Sequence, residues 1–341
     1  MMLNFIRREK LYVAMLLFIL AVNVMSPGRT EKAQAEGRPN LSTMTFKEIG
    51  VTEERVREYF ESEGPGAIFF KYSIAFAFFI FILSIVLNLS FIFRGKKVDL
   101  KALPYKAPVS WGIPDLIKAG IIIIFASYII GIGEGLVSKM FDLDLGLNQR
   151  MIIGTFFIDM SVAAVVLYFV IVKCRERLWT LGLGFESVFS NILTGITSYI
   201  FILPILFLTL FLSMWVLNLM GYSPPPQPVF EVFMEEKSGG MLLFLTLFVS
   251  MFGPVIEEMF FRGFMYSAIK KHLGFLGAAF LSASIFSILH TNIVGFLPIM
   301  ALGVLLAYLY EKTGSLVAPM AVHILHNSII VAFVFFIKEL V

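Results

Sequence analysis

Apolar residues fall into nine runs separated by short polar connectors, at roughly 11–25, 67–93, 116–136, 151–172, 192–218, 241–269, 275–290, 293–310 and 315–337. Most approach the ~20 apolar residues that a helix needs to cross a bilayer. None shows the every-second-residue alternation of a membrane β-strand. A helix pairs its own backbone groups in lipid, so the pattern predicts an all-α fold, a polytopic transmembrane bundle of about eight to nine spans. The first run is short and follows Arg7, Arg8 and Lys10. Ala33-Gln34-Ala35 has the small-x-small form of a signal cleavage site but lies some ten residues past the run. An uncleaved first span is therefore expected.

The connectors give the organisation. Residues 26–66 are polar, and VTEERVREYFESEG within them predicts a short amphipathic helix. Residues 94–114 are basic, and 221–240 carry the stiff stretch Pro224-Pro225-Pro226. No internal repeat is visible. Three regions are expected: an N-terminal membrane region 1–115, with 26–66 outside; accessory spans 116–177; and a functional module 178–337. Arg94, Lys96, Lys97, Lys101, Lys106, Lys173, Arg175, Arg177, Lys270, Lys271 and Lys312 fall on one side of the predicted topology. The short loops of the other side hold only Lys139, Arg150 and Lys237. Basic residues mark cytoplasmic loops, so the N-terminus is expected in the cytoplasm of a multi-pass cell-membrane protein.

Composition agrees with a membrane class. Of 341 residues, 58% are apolar and only 15% charged, against about a quarter charged in soluble domains. The net charge of +3 comes without a basic stripe interleaved with aromatics, so no nucleic-acid partner is implied. The lone Cys174 excludes an internal disulfide and a thiolate metal cluster.

Ionisable groups within the runs locate the chemistry. The first half offers Lys71, Lys118, Glu134 and Asp159; the last hundred residues offer Glu257, Glu258, Arg262, His290, His323 and His326. Such groups at bilayer depth are costly unless paired, solvated or used. In GPVIEEMFFRGF, Glu258 and Arg262 are four apart on one helix face, acid before base. Glu257 points about 100° away and stays free for another partner. Pro254 should kink the helix and free the carbonyl of Ser250. Further on, Phe286 and His290 share a face in SASIFSILHTN, as do His323 and Asn327 in APMAVHILHNSII. A carboxylate and a histidine can deprotonate water, and a second histidine with an amide can hold an oxyanion. Counting ~1.5 Å per residue from Lys270 and Lys312 puts Glu257 and His323 about 16–20 Å from the cytoplasmic face.

These three motifs, in this order, resemble those of the CAAX prenyl protease type II and bacteriocin-processing (CPBP, or Abi) family of intramembrane glutamate proteases. The resemblance covers roughly residues 178–337, and LWTLGLGF at 178–185 looks like the segment that leads into the family's module. It implies a glutamate-type endopeptidase, with Glu257 and His290 activating water and His323 and Asn327 stabilising the oxyanion. Glu258 and Arg262 would orient the site, Arg262 also helping to hold substrate, with Phe286 in support. His326 is outside the motif and has no assigned role. No cofactor or metal is implied, and the substrate would be a membrane-anchored protein or peptide in the lipid bilayer. Three other readings stand beside it. A zinc protease is opposed by the lack of H-E-x-x-H. A proton-coupled transporter, its path extended by Glu134 and Asp159, is opposed by the lack of an inverted repeat. The third is a non-catalytic scaffold or immunity protein.

Overall fold

A computed structural model describes residues 9–25, 50–95, 109–142, 146–184, 186–222 and 228–341, and all described secondary structure is helical. Ala33-Gln34-Ala35, most of the basic loop 94–114 and Pro224–Pro226 lie outside the described residues. The helices are α1 (Lys10–Met25), α2 (Glu53–Glu61), α3 (Pro65–Phe93), α4 (Ile113–Met140) and α5 (Leu147–Leu167, continued by a π turn Tyr168–Lys173). A 3₁₀ turn, Leu178–Leu181, precedes α6 (Val188–Leu219) and α7 (Pro228–Glu235). A 51-residue helical stretch, Gly239–Leu289, is broken at Gly274 into α8 (239–273) and α9 (275–289). α10 (Phe296–Thr313) and α11 (Val317–Leu340) complete the chain.

Seven described helical stretches are long and apolar enough to cross a membrane, and α1 adds a shorter apolar helix. With the break at Gly274 counted, they correspond to the nine apolar runs. Gly274 has φ 66° and ψ −172°, a conformation that a residue with a side chain rarely adopts. The chain turns back there.

The chain divides into two compact units. One comprises the described residues of Met1–Asn40 and Val109–Arg177. In it, Lys118 pairs with Glu9 at 2.7 Å, Arg150 with Glu134 at 3.3 Å, and Lys173 with Asp115. Asn23 Nδ2 donates to the Tyr128 hydroxyl at 2.6 Å. Lys118 and Glu134, two of the intramembrane charges of the first half, are thus in ion pairs.

The other unit comprises the described residues of Leu41–Pro108 and Leu178–Val341. Lipid tails are as apolar as Leu, so close packing and polar contacts hold such helices together. Small residues make the close approaches. Ala278, Ala279 and Ala283 of α9 and Ala307 of α10 are fully buried, and Gly195 of α6 lies against the carbonyl of Ala318 on α11. Polar contacts collect backbone groups that proline leaves unpaired. Pro204 lacks the N–H that would bond Ile200 O four residues back, and Ser84 of α3 donates to that carbonyl at 2.5 Å.

One end of α11 is gripped by the two short amphipathic helices. α2 forms where the sequence predicted it, with the Thr52 hydroxyl capping Arg55 N–H. Arg55 donates to Leu340 O and Val341 O, and Tyr59, Phe60 and Phe70 pack on Phe336. Lys338 donates to Phe233 O and Glu236 O at the end of α7.

Candidate active site

The site is built on an irregular stretch of α8. A π turn, Phe248–Phe252, precedes Gly253-Pro254, and a second, Met259–Tyr266, follows Glu258. Inserted π turns shift the phase of every side chain beyond them and are frequent at functional sites. In the first turn, Gly253 N–H bonds Phe248 O, five residues back. The next residue, Pro254, has no N–H for Val249 O. Asn327 Nδ2 of α11 donates to that carbonyl at 2.9 Å. The proline-freed group is thus Val249 O rather than Ser250 O, because the π turn moves the register by one residue. The second amide hydrogen of Asn327 is left over.

Glu258 is fully buried and its Oε1 is shared. It accepts from Arg262 Nη1 at 2.8 Å and from His323 Nδ1 at 2.8 Å. Arg262, 1% exposed, also donates through Nη2 to Gly303 O at 3.3 Å, and its guanidinium lies 4.5 Å above the Phe286 ring. Gly303 permits this approach. A Cβ there would sit 2.8 Å from Ala283 Cβ and 3.3 Å from Arg262 Nη2.

Glu257, whose side chain is 30% exposed, brings Oε2 to 3.6 Å from His323 Nε2. His323 therefore stands between the two glutamates, one ring nitrogen toward each. A carboxylate already bonded to a guanidinium accepts from Nδ1, so Nδ1 carries a proton and Nε2 faces Glu257. Six buried side-chain polar atoms among the described residues lack a hydrogen-bond partner, and three are here: Glu257 Oε2, Glu258 Oε2 and Arg262 Nε. Buried polar atoms are seldom left unpaired, and a cluster of three sets this region apart.

His290 lies at the exposed end of α9 and donates Nδ1–H to Phe286 O at 2.7 Å, leaving Nε2 unengaged. No hydrogen bond or ion pair joins it to Glu257 among the described residues. Phe286, 1% exposed, lies between the groups, its ring 4.4 Å from that of His290 and 5.5 Å from that of His323. Among the described residues, no group of three or more His, Cys, Asp or Glu is placed to hold a metal ion.

Residues 239–329 match the family described as Type II CAAX prenyl endopeptidase Rce1-like. This part of the chain resembles that family. It is 32% identical over 82 residues to the "Putative membrane peptidase YdiL" of Bacillus subtilis (strain 168), covering 24% of this chain and 34% of that one. It is 36% identical over 93 residues to the "Membrane-embedded CAAX protease MroQ" of Staphylococcus aureus (strain USA300), covering 25% of this chain and 37% of that one. The chain thus spans about a third of the length of the curated relatives it matches. No solved structure matches it.

The Rce1-like stretch runs from the start of α8 into α11 and contains Glu257, Glu258, Arg262, Phe286, His290, His323 and Asn327. Further contacts support it, and sequence reasoning did not find them. Tyr199 of α6 shares a 2.9 Å hydrogen bond with His326 Nδ1, one turn along α11 from His323. Glu311 is 4% exposed, accepts from the Tyr266 hydroxyl at 2.7 Å and pairs with Lys270. Tyr310 donates to Leu181 O at 2.9 Å, and Leu316 N–H donates to Gly182 O at 2.9 Å. The 178–184 segment is thereby tied to the α10–α11 turn. An acid and two tyrosines near one end of successive spans were the available signal.

Proposed function

We propose that this protein is an intramembrane endopeptidase that hydrolyses a peptide bond of a membrane-associated protein or peptide with water activated at Glu257. The approach of Glu257 Oε2 to His323 Nε2, with Glu258 on the other ring nitrogen, carries the reading. A 3.6 Å separation exceeds a direct hydrogen bond and suits two groups bridged by one small polar molecule. In this reading His323 carries a proton on each ring nitrogen, Nδ1–H toward Glu258 and Nε2–H toward Glu257.

In the proposed reaction Glu257 takes a proton from water as the water oxygen bonds to the scissile carbonyl carbon. Negative charge then develops on the carbonyl oxygen. His323 Nε2–H and the free amide hydrogen of Asn327 are the donors for it, a preorganised oxyanion site. Glu257 returns the proton to the amide nitrogen as the C–N bond breaks. Glu258 and Arg262 act through His323, fixing its ring and charge. His290, with Nε2 free on the exposed side of Phe286, is assigned to the same water by the family resemblance. The basic loops put the N-terminus in the cytoplasm.

Comparison of membrane proteomes from cells carrying wild type or Glu257→Gln tests this reading. New peptide termini present only with wild type are expected, and they identify substrate and cut site together. Identical termini in both would refute it and favour a scaffold or transporter.

A further inference from the structure

α6 and α11 meet along a seam of residues spaced four apart. On α6 it runs through Gly195 and Tyr199, and on α11 through Ala318, Val322 and His326. Gly195 lets the backbones close, since a Cβ there would sit 2.7 Å from Ala318 O and 3.2 Å from Val322 Cγ2. One turn further, Tyr199, 5% exposed, meets His326, its hydroxyl 2.9 Å from Nδ1 and the two rings edge to face. A buried phenol O–H needs an acceptor, and Nδ1 is the one in reach among the described residues. Tyr199 therefore donates, and the neutral His326 ring carries its proton on Nε2.

This contact holds α11 from a second side. At about 100° per residue, His326 stands about 60° to one side of His323 and Asn327 about 40° to the other. His323 and Asn327 are bound to α8, at Glu258 Oε1 and Val249 O, whereas His326 is bound to α6. Lipid tails give a helix little preference for one rotation, so packing and polar contacts set it. Side-chain tips lie about 5–6 Å from the helix axis, so turning α11 by about 20° displaces the Asn327 amide by about 2 Å. A misplacement of about 1 Å at reacting groups can cost about a hundredfold in rate.

Tyr199 is itself held from α3. The two residues after it carry carbonyls that accept from α3 side chains, Ile200 O from the Ser84 hydroxyl at 2.5 Å and Phe201 O from Asn88 Nδ2 at 3.0 Å. Ser84 is fully buried. Pro204 deprives Ile200 O of its partner within α6, so α3 secures α6 at its weak point, one residue from Tyr199. Neither α3 nor α6 lies within the Rce1-like residues 239–329.

We propose that Tyr199 and His326 are positioning residues of the reaction, fixing the rotation of α11 that aims His323 and Asn327, and that α3 takes part in catalysis by holding Tyr199. The role in the reaction rests on the proteolytic reading; the hydrogen bond and its tautomer do not. Neither residue touches substrate in this scheme. Both act through the two donors that His323 and Asn327 offer to the oxyanion.

The test is steady-state cleavage in proteoliposomes, on a substrate found by terminal proteomics, with the unfolding transition of each variant measured alongside. Tyr199→Phe is expected to lower kcat about tenfold with KM within about twofold, because substrate still binds but meets misaligned donors. His326→Leu should do the same, and the double variant should lose no more than either single, as for two groups that act as one. His326→Asn should recover most of the rate, since its Oδ1 takes the place of Nδ1 and accepts from Tyr199; adding Tyr199→Phe should abolish that recovery. Ser84→Ala should lower kcat about threefold, as for one lost hydrogen bond, and add nothing to Tyr199→Phe. An unchanged kcat, a loss seen only in KM, losses that multiply, or His326→Asn as slow as His326→Leu would overturn the proposal. Nitrogen NMR of histidine-labelled protein gives a readout without cleavage. A ring protonated on Nε2 should be present, vanish in His326→Asn and shift in Tyr199→Phe; a spectrum indifferent to Tyr199→Phe overturns the contact and the proposal with it. Wild type that cleaves nothing sinks the proteolytic reading together with this role, whereas variants as fast as an active wild type sink this role alone.

Discussion

Arg262→Met should destabilise the protein more than Glu258→Gln and Arg262→Met made together. The guanidinium is 1% exposed and has two partners, Glu258 Oε1 at 2.8 Å and Gly303 O at 3.3 Å. Removing it strands a fully buried carboxylate whose remaining partner is His323. Breaking a buried ion pair from one side costs about 3–5 kcal/mol, because one charge is left uncompensated. Adding Glu258→Gln removes that charge and keeps an oxygen to accept from His323, so the double variant should recover about 1–3 kcal/mol, a coupling energy typical of groups in direct contact. The assay is equilibrium unfolding in mixed micelles for wild type, both single variants and the double. Costs that add without coupling, or a cost for Arg262→Met below about 1 kcal/mol, would refute the idea that the trio is one buried electrostatic unit.

Gly303→Ala forces a Cβ to 2.8 Å from Ala283 Cβ and should cost about 1–3 kcal/mol as overpacking, with stability restored by Ala283→Gly; a neutral melting shift contradicts that contact. Asn327→Leu leaves Val249 O unpaired, at about 1–3 kcal/mol. Pro254→Ala restores an N–H beside that carbonyl and should shrink the loss; an equal loss in both backgrounds means that the freed carbonyl is not what Asn327 serves.

How much of this was legible in the sequence follows from the range of each interaction. The apolar runs and the Glu258–Arg262 pair depend on spacing within one segment, and the structure has them at that spacing. The expectation for Ser250 O missed by one residue, because the π turn Phe248–Phe252 is a local rearrangement that a uniform helix does not anticipate. What decides the partner of Glu257 is the rotation of α11 against α8, a contact across more than sixty residues of chain. Spacing on one helix leaves that open, and the ring nearest Glu257 is His323 rather than His290. The Tyr266–Glu311–Lys270 group was hidden for the same reason, since Glu311 reads as a loop acid until α10 is docked on α8. The preference of 26–66 for a short amphipathic helix was local, and α2 formed at Glu53–Glu61.

In the proposed reaction Glu257 performs the chemistry, and the fold does not need it. Glu258 and Arg262 carry the buried pairing, whereas Glu257 is 30% exposed and approaches His323. The direct measurement is the cleavage rate of purified Glu257→Gln in proteoliposomes, on a substrate found by terminal proteomics, beside its unfolding free energy. Cleavage should fall by about a hundredfold or more, as for loss of a general base, with stability within about 0.5 kcal/mol of wild type. Cleavage at the wild-type rate, or a loss that merely follows unfolding, would contradict the account.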